Sequence, residues 1–135
     1  MKIPDLWTRI QSAGRRPFMI RPSGEVNYDE LRALIAKAYT RLQGLQINSG
    51  KRIGVLLADE AKASAVFVAS LLSGAVPVML PSDIGAPRLA AIRSTIEPDL
   101  IASDESIFSE DEPTPIQIAD LPSEDLAYLL FTSGT

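Results

Sequence analysis

The sequence contains no cysteine and no histidine. Those absences exclude thiol nucleophiles, disulfides and the usual zinc ligand sets from this stretch of chain, and they leave carboxylate, lysine or tyrosine as the available general bases. No run approaches the roughly 20 apolar residues needed to cross a bilayer. The richest, Ala63 to Leu72, is too short and carries Ser64 and Ser70. The opening, Met1-Lys2-Ile3-Pro4-Asp5-Leu6-Trp7, has an early acid and no sustained apolar run, so it does not read as a secretory signal. Lysine and arginine are dispersed, and a net charge of −4 with a pI near 4.8 argues against a nucleic-acid surface. The expectation is a cytoplasmic protein with no membrane span and no nucleic-acid partner.

What is present is enough for a core. The chain has 135 residues, 46% of them apolar, which is one ordinary domain by length and can bury roughly two thirds of its unfolded surface. Pro4 suits the first turn of a short helix with Leu6, Trp7 and Ile10 on its apolar face, ended by Ala13-Gly14. Phe18-Met19-Ile20 and Val26-Asn27 flank Pro22-Ser23-Gly24 and predict a hairpin. Asn27 is placed to cap the next helix, with Glu30 three residues on as the acid of a capping box. From Tyr28 to Gln43, Leu31, Leu34, Ile35, Ala38 and Leu42 recur at helical spacing, so this helix is amphipathic and lies on the outside of a sheet.

Ile53-Gly54-Val55-Leu56-Leu57-Ala58 is unbroken apolar sequence, the pattern of a strand covered on both faces. Ala61 to Ser73 predicts a helix that is apolar nearly all round and therefore sandwiched between layers, one of them supplied from outside this stretch. Val76 to Leu80 is the next strand, and Pro77 within it predicts an edge position or a bulge. Pro87 begins a helix with Leu89, Ile92 and Ile96 inward, ended by Pro98. Leu100-Ile101-Ala102 is a short strand, Asp104 to Pro115 an acidic solvated loop, and Ile116-Gln117-Ile118 and Leu126 to Phe131 are strands. Alternating strands and helices from Ile53 onward predict right-handed βαβ crossovers and a parallel sheet, in which ligands bind beyond the carboxyl ends of the strands.

The last strand runs into Thr132-Ser133-Gly134-Thr135. Hydroxyls and backbone N–H groups around a glycine form half of a phosphate cradle, because glycine admits close approach and positive φ. Taken alone, these four residues are better accounted for by ordinary turn chemistry.

Further stretches, taken in order, carry a resemblance. They are Val26-Asn27-Tyr28-Asp29-Glu30-Leu31, then Gly44-Leu45 through Gly50-Lys51-Arg52-Ile53-Gly54-Val55, then Leu72-Ser73-Gly74-Ala75-Val76-Pro77-Val78. Asp125-Leu126-Ala127-Tyr128 and the Thr132 to Thr135 turn complete the series. Together they resemble the opening half of the adenylate-forming, AMP-binding superfamily of acyl-CoA synthetases and peptide-synthetase adenylation domains. Two positions depart from it: Lys51 stands where members usually carry Asp, and Met79 where many carry Pro. Both are scaffold positions.

The resemblance implies an α/β fold with parallel-sheet βαβ layers, an N-terminal helix and a hairpin, forming part of a larger αβαβα N-terminal domain. It also implies that residues 1–135 are an N-terminal subdomain segment of a longer enzyme, whose catalytic C-terminal domain lies elsewhere in the same polypeptide. The implied chemistry is that of an AMP-forming ligase. A carboxylic acid attacks the α-phosphorus of ATP, with Mg2+ as cofactor, and the acyl adenylate passes to the thiol of coenzyme A or of a carrier protein. By position, Thr132, Ser133, Gly134 and Thr135 belong to the loop that embraces the ATP phosphates. No catalytic residue and no metal ligand is expected within these 135 residues, and Tyr28, Gly54 and Gly74 each have a sufficient structural reading. The alternative of a different class is a free-standing α/β module that binds a nucleotide or a protein partner without ligase activity.

Overall fold

The computed structural model describes residues 2–119 and the backbone of residues 129–130. Helix α1 (Ile3–Ser12) starts at a proline and buries Ile3 and Ile10. Strands β1 (Pro17–Arg21) and β2 (Gly24–Asn27) form the antiparallel hairpin, with Met19 opposite Val26. Asn27 then caps α2 (Tyr28–Gly44), its side chain accepting from the Glu30 N–H at 3.0 Å. The ring of Phe18 meets that of Tyr28 edge-on, with centroids 5.3 Å apart. Arg32 of α2 donates to the carbonyls of Ile10 at 2.8 Å and Gly14 at 2.6 Å. That places a cation where the end of α1 leaves carbonyls without helical partners.

The main sheet is parallel and four-stranded, in the order β5-β3-β4-β6. Its strands are β3 (Arg52–Val55), β4 (Val76–Met79), β5 (Leu100–Ala102) and β6 (Leu129–Leu130). Helix α3 (Glu60–Ser73) connects β3 to its neighbour β4. Helix α4 (Ala86–Ile96) carries the chain back across β3 to β5, and the segment after β5 returns across the sheet to β6. Because parallel crossovers are right-handed, reversing direction puts α4 on the opposite face from α3. The side chains follow this division. Ile53, Val55 and Ala102 join the large core with α2 and α3, whereas Val78 and Leu80 pack with Ile96 of α4.

Four expectations are corrected. First, α3 needs no layer from outside, because α2 covers it: Ile35, Ala38, Leu42, Ala65, Val66, Ala69 and Leu72 form one core with the sheet. The thinly covered surface is the other face, where Leu56, Ile84, Leu89 and Ile92 are only partly buried around Val78, Leu80 and Ile96. Second, β4 is interior and regular. Val76 donates to the carbonyl of Lys51, just before β3, and Leu80 to that of Val55 in β3, so the alternate residue Pro77 directs its missing N–H away from β3. Proline therefore costs no ladder bond to β3.

Third, the acidic segment after β5 is anchored. A 3-10 turn (Glu105–Ile107) buries Ile107, Phe108 and Ser109 against the main core. Fourth, Ile116-Gln117-Ile118 forms no strand. The two backbone groups of Gln117 pair instead with the hydroxyl of Tyr39, and Ile116 and Ile118 pack onto the core.

Candidate functional site at the carboxyl edge of the sheet

The chain leaving β3 turns to α3 on one face, and the chain leaving β4 turns to α4 on the other. Loops that part in this way open a crevice between the two carboxyl ends, the usual ligand position in a doubly wound sheet. On the β3 side the crevice is formed by Leu56 to Asp59, and on the β4 side by Leu80 to Gly85. The two sides are tied together at their base, where the Leu80 N–H donates to the Val55 carbonyl at 2.9 Å.

Asp59 is the organising residue of the β3 side. Its Oδ1 accepts from the N–H groups of Ala61 at 3.0 Å and Lys62 at 3.2 Å, which caps α3. Its Oδ2 pairs with the guanidinium of Arg21, at the end of β1. Burial alone would raise the Asp59 carboxyl. The Lys62 amide, the Arg21 charge and the Ala61 amide outweigh it, and hold the group below its ordinary value. Lys62, one turn into α3, pairs with Glu105 of the 3-10 turn. Asp104 caps that turn, and its carboxyl is lowered by the hydrogen bonds from the Ser106 hydroxyl and N–H. Hairpin, helix and post-β5 turn are thus joined by charge at the rim of the crevice.

This arrangement has a chemical consequence. The N-terminus of α3 faces the crevice, and the Asp59 carboxylate lies against its positive dipole and takes up two of its free N–H groups. On the other side of the crevice β6 lies beside β4, with Leu129 opposite Val78 and Leu130 opposite Met79. Thr132, Ser133, Gly134 and Thr135 follow β6 in sequence and lie outside the described residues, as do Asp125 to Tyr128. Among the described residues no group of three or more acidic side chains could hold a metal ion. A cleft of about 490 Å³, lined by Arg9, Ser12, Arg16 and Tyr28, lies between α1 and the hairpin.

The residues singled out as structural in the sequence have that role. Tyr28 opens α2, Gly54 sits in β3 with the side chain of Ile101 3.3 Å from where its Cβ would be, and Gly74 ends α3 at φ 85°. Arg21 and Asp59 were not among the residues singled out. An Asp immediately before an apolar helix is a cap signature, but nothing local marks Arg21 as its partner.

Comparison with known proteins agrees with this architecture. The model of the AMP-binding enzyme family matches residues 6–135, and the chain belongs to that family. A stretch of 65 residues is 38% identical to Malpinin synthetase of Mortierella alpina, covering 48% of this chain and 1% of that protein. Among solved structures, the N-terminal domain of FACL13 from Mycobacterium tuberculosis is similar with a TM-score of 0.66 and 24% identity, over 75% of this chain and 26% of that one. O-succinylbenzoate coenzyme A synthetase (MenE) from Bacillus subtilis, in complex with AMP, is similar with a TM-score of 0.69 and 18% identity, over 84% and 34%. At those identities the structures establish the shared fold. The chain spans about a third or less of each of these relatives.

Proposed function

We propose that residues 1–135 are the N-terminal part of an AMP-forming acid–thiol ligase, completed by the rest of the same polypeptide and working in the cytoplasm. A carboxylate attacks the α-phosphorus of ATP, pyrophosphate leaves, and the acyl adenylate is captured by the thiol of coenzyme A or a carrier protein. The observation that carries this reading is the family match over residues 6–135, on a sheet whose strand β6 leads into Thr132-Ser133-Gly134-Thr135.

In phosphoryl chemistry of this kind the protein contributes mainly positioning and neutralisation of charge. The hydroxyls of Thr132, Ser133 and Thr135, with their N–H groups and that of Gly134, are a donor set suited to the β and γ phosphates. They follow developing charge at little reorganisation cost. A MenE structure in the comparison is a complex with ATP and magnesium ion, which supports the same substrate and metal here. The described residues offer no carboxylate cluster for the metal, so no step is assigned to it in this segment.

The acceptor thiol is coenzyme A by likeness to MenE, whose name is that of a coenzyme A synthetase. A carrier-protein thiol is the other acceptor this reading allows. The test is carboxylate-dependent exchange of labelled pyrophosphate into ATP by the complete polypeptide. Thr132→Ala, Ser133→Ala or Thr135→Ala should slow exchange roughly ten- to a thousandfold. Gly134→Val should do at least as much harm, since a β-branched side chain blocks positive φ and close approach of phosphate. Wild-type exchange in all four variants would make the turn only a turn, and would favour a free-standing nucleotide- or protein-binding module.

A further inference from the structure

We infer that Tyr39 and Thr40 of α2 are positioning residues for the phosphate loop, because they hold the crossover that delivers β6 to the sheet; this rests on the ligase reading above. The β3–β4 and β4–β5 crossovers are helices, which satisfy their own backbone. The β5–β6 crossover has neither helix nor strand from residue 108 to 119, so its backbone polar groups must find partners elsewhere. It finds them on the helices beneath. The Ser109 N–H donates to the Lys37 carbonyl at 3.2 Å, and the Ala119 N–H to the Leu72 carbonyl at 3.0 Å. Between those ends the partners are side chains of α2. The Thr114 N–H donates to the Thr40 hydroxyl at 2.9 Å. The Gln117 N–H donates to the Tyr39 hydroxyl at 3.1 Å, and that hydroxyl donates back to the Gln117 carbonyl at 3.0 Å.

Tyr39 and Thr40 are 3% and 8% exposed. Water therefore does not compete for these bonds, and losing a hydroxyl leaves polar groups unpaired. The Thr40 hydroxyl donates to the Ala36 carbonyl at 2.8 Å, which leaves its lone pairs for Thr114. A single hydroxyl engaging both backbone groups of one residue does what a neighbouring strand would do: it fixes register. Slippage by one residue would present Ile116 or Ile118 to Tyr39 with the wrong side chains facing the core. Beyond this point β6 is described over two pairs with β4 only, Val78 with Leu129 and Met79 with Leu130. The strap therefore holds the path that leads to β6, and Thr132 to Thr135 follow β6 in sequence.

The experiment uses the complete polypeptide with Tyr39→Phe, Thr40→Val and Thr40→Ser. It measures amide hydrogen exchange of residues 109–119 and 129–130, and the separate dependence of pyrophosphate exchange on ATP and on the carboxylate. Tyr39→Phe should speed exchange at the amides of Gln117, Leu129 and Leu130 by about tenfold, as a lost buried hydrogen bond of ordinary strength implies. It should raise KM for ATP severalfold and leave that for the carboxylate within about twofold. Thr40→Val should act in the same direction, and Thr40→Ser, which restores the hydroxyl, should not. Ile47→Val, a buried change away from the strap, provides a control that lowers stability without moving KM for ATP.

Unchanged exchange at Leu129 and Leu130 in Tyr39→Phe overturns the inference, whatever the activity. So does an unchanged KM for ATP in a polypeptide whose Thr132→Ala variant is impaired, and in that case the ligase reading stands. Failure of the ligase reading itself shows differently, as wild-type rates in the loop variants.

Discussion

Asp59 joins two elements, α3 and β1, through one carboxylate, so removing it should cost more than an exposed ion pair does. Asp59→Ala loses the cap on α3, for which substitution by alanine costs about 1–2 kcal/mol. It also loses the pairing with Arg21. Both side chains of that pair are 30% exposed, and solvent screening limits the loss to about 0.5–1 kcal/mol. The sum is about 2 kcal/mol. With a urea dependence of about 2 kcal/mol per molar, the unfolding midpoint of the 135-residue chain should fall by about 1 M. Asp59→Asn keeps an oxygen that accepts from Ala61 and Lys62 but not the charge, and should cost only about 0.3 M on the same scale. Exchange of the Ala61 and Lys62 amides gives a second, local readout. The pH dependence has a definite sign. The folded carboxyl titrates below its ordinary value, which is about 3.9 in an unfolded chain. Its contribution is therefore complete above that value and is lost as pH falls through the folded one. The gap between wild type and Asp59→Asn should be constant from neutrality to about pH 4 and should close below it. Equal midpoints for the Ala and Asn variants would refute the capping role, and a gap that persists unchanged to pH 2 would refute the ion pair.

Gly74→Ala should destabilise by about 1–2 kcal/mol, measured by the same urea midpoint, because the residue ends α3 at φ 85° where an added Cβ is strained. The isolated 135-residue chain should bind a hydrophobic dye or self-associate through the half-covered face around Leu56, Ile84, Leu89 and Ile92. A monomer with a sharp melt and no dye binding would show that α4 covers the sheet sufficiently. The same isolated chain should bind ATP no better than weakly, since half a loop gives few contacts to offset the entropy of fixing a nucleotide. Micromolar affinity by calorimetry would point to a free-standing nucleotide-binding module.

The elements legible in the sequence are those whose cause is local. The Asn27 cap, the helical spacing from Leu31 to Leu42 and the apolar run at Ile53 to Val55 each appear where they were expected. Proline and glycine marked the starts of α1 and α4 and the end of α3. The misreadings are places where a distant partner decides. Ile116 to Ile118 has the alternation of a strand, and the competing partner is a tyrosine 78 positions away. Ile107 and Phe108 sit in an acidic context that suggests solvent, yet they close the core over α2. Pro77 reads as an edge residue unless it is known which neighbour its missing N–H faces. The same holds for the site. The hydroxyl-rich turn is visible as composition, but the rim that Arg21 and Asp59 build joins residues 38 apart.

Strand order gives these separate features a common logic. A chain that steps from β3 to β4, back to β5 and forward to β6 must send α3 and the β5–β6 crossover over one face and α4 over the other. One face therefore receives two helices and the strap and becomes the deep core, while the other receives α4 alone. The carboxyl ends of β3 and β4 part for the same reason, and the crevice between them is a product of topology before any side chain is chosen. Asp59 then caps the helix terminus on one side of that crevice. The proposal that Thr132 to Thr135 receive the phosphates puts the donors on the other side, after β6, and the two α2 hydroxyls hold the strap on the way to it.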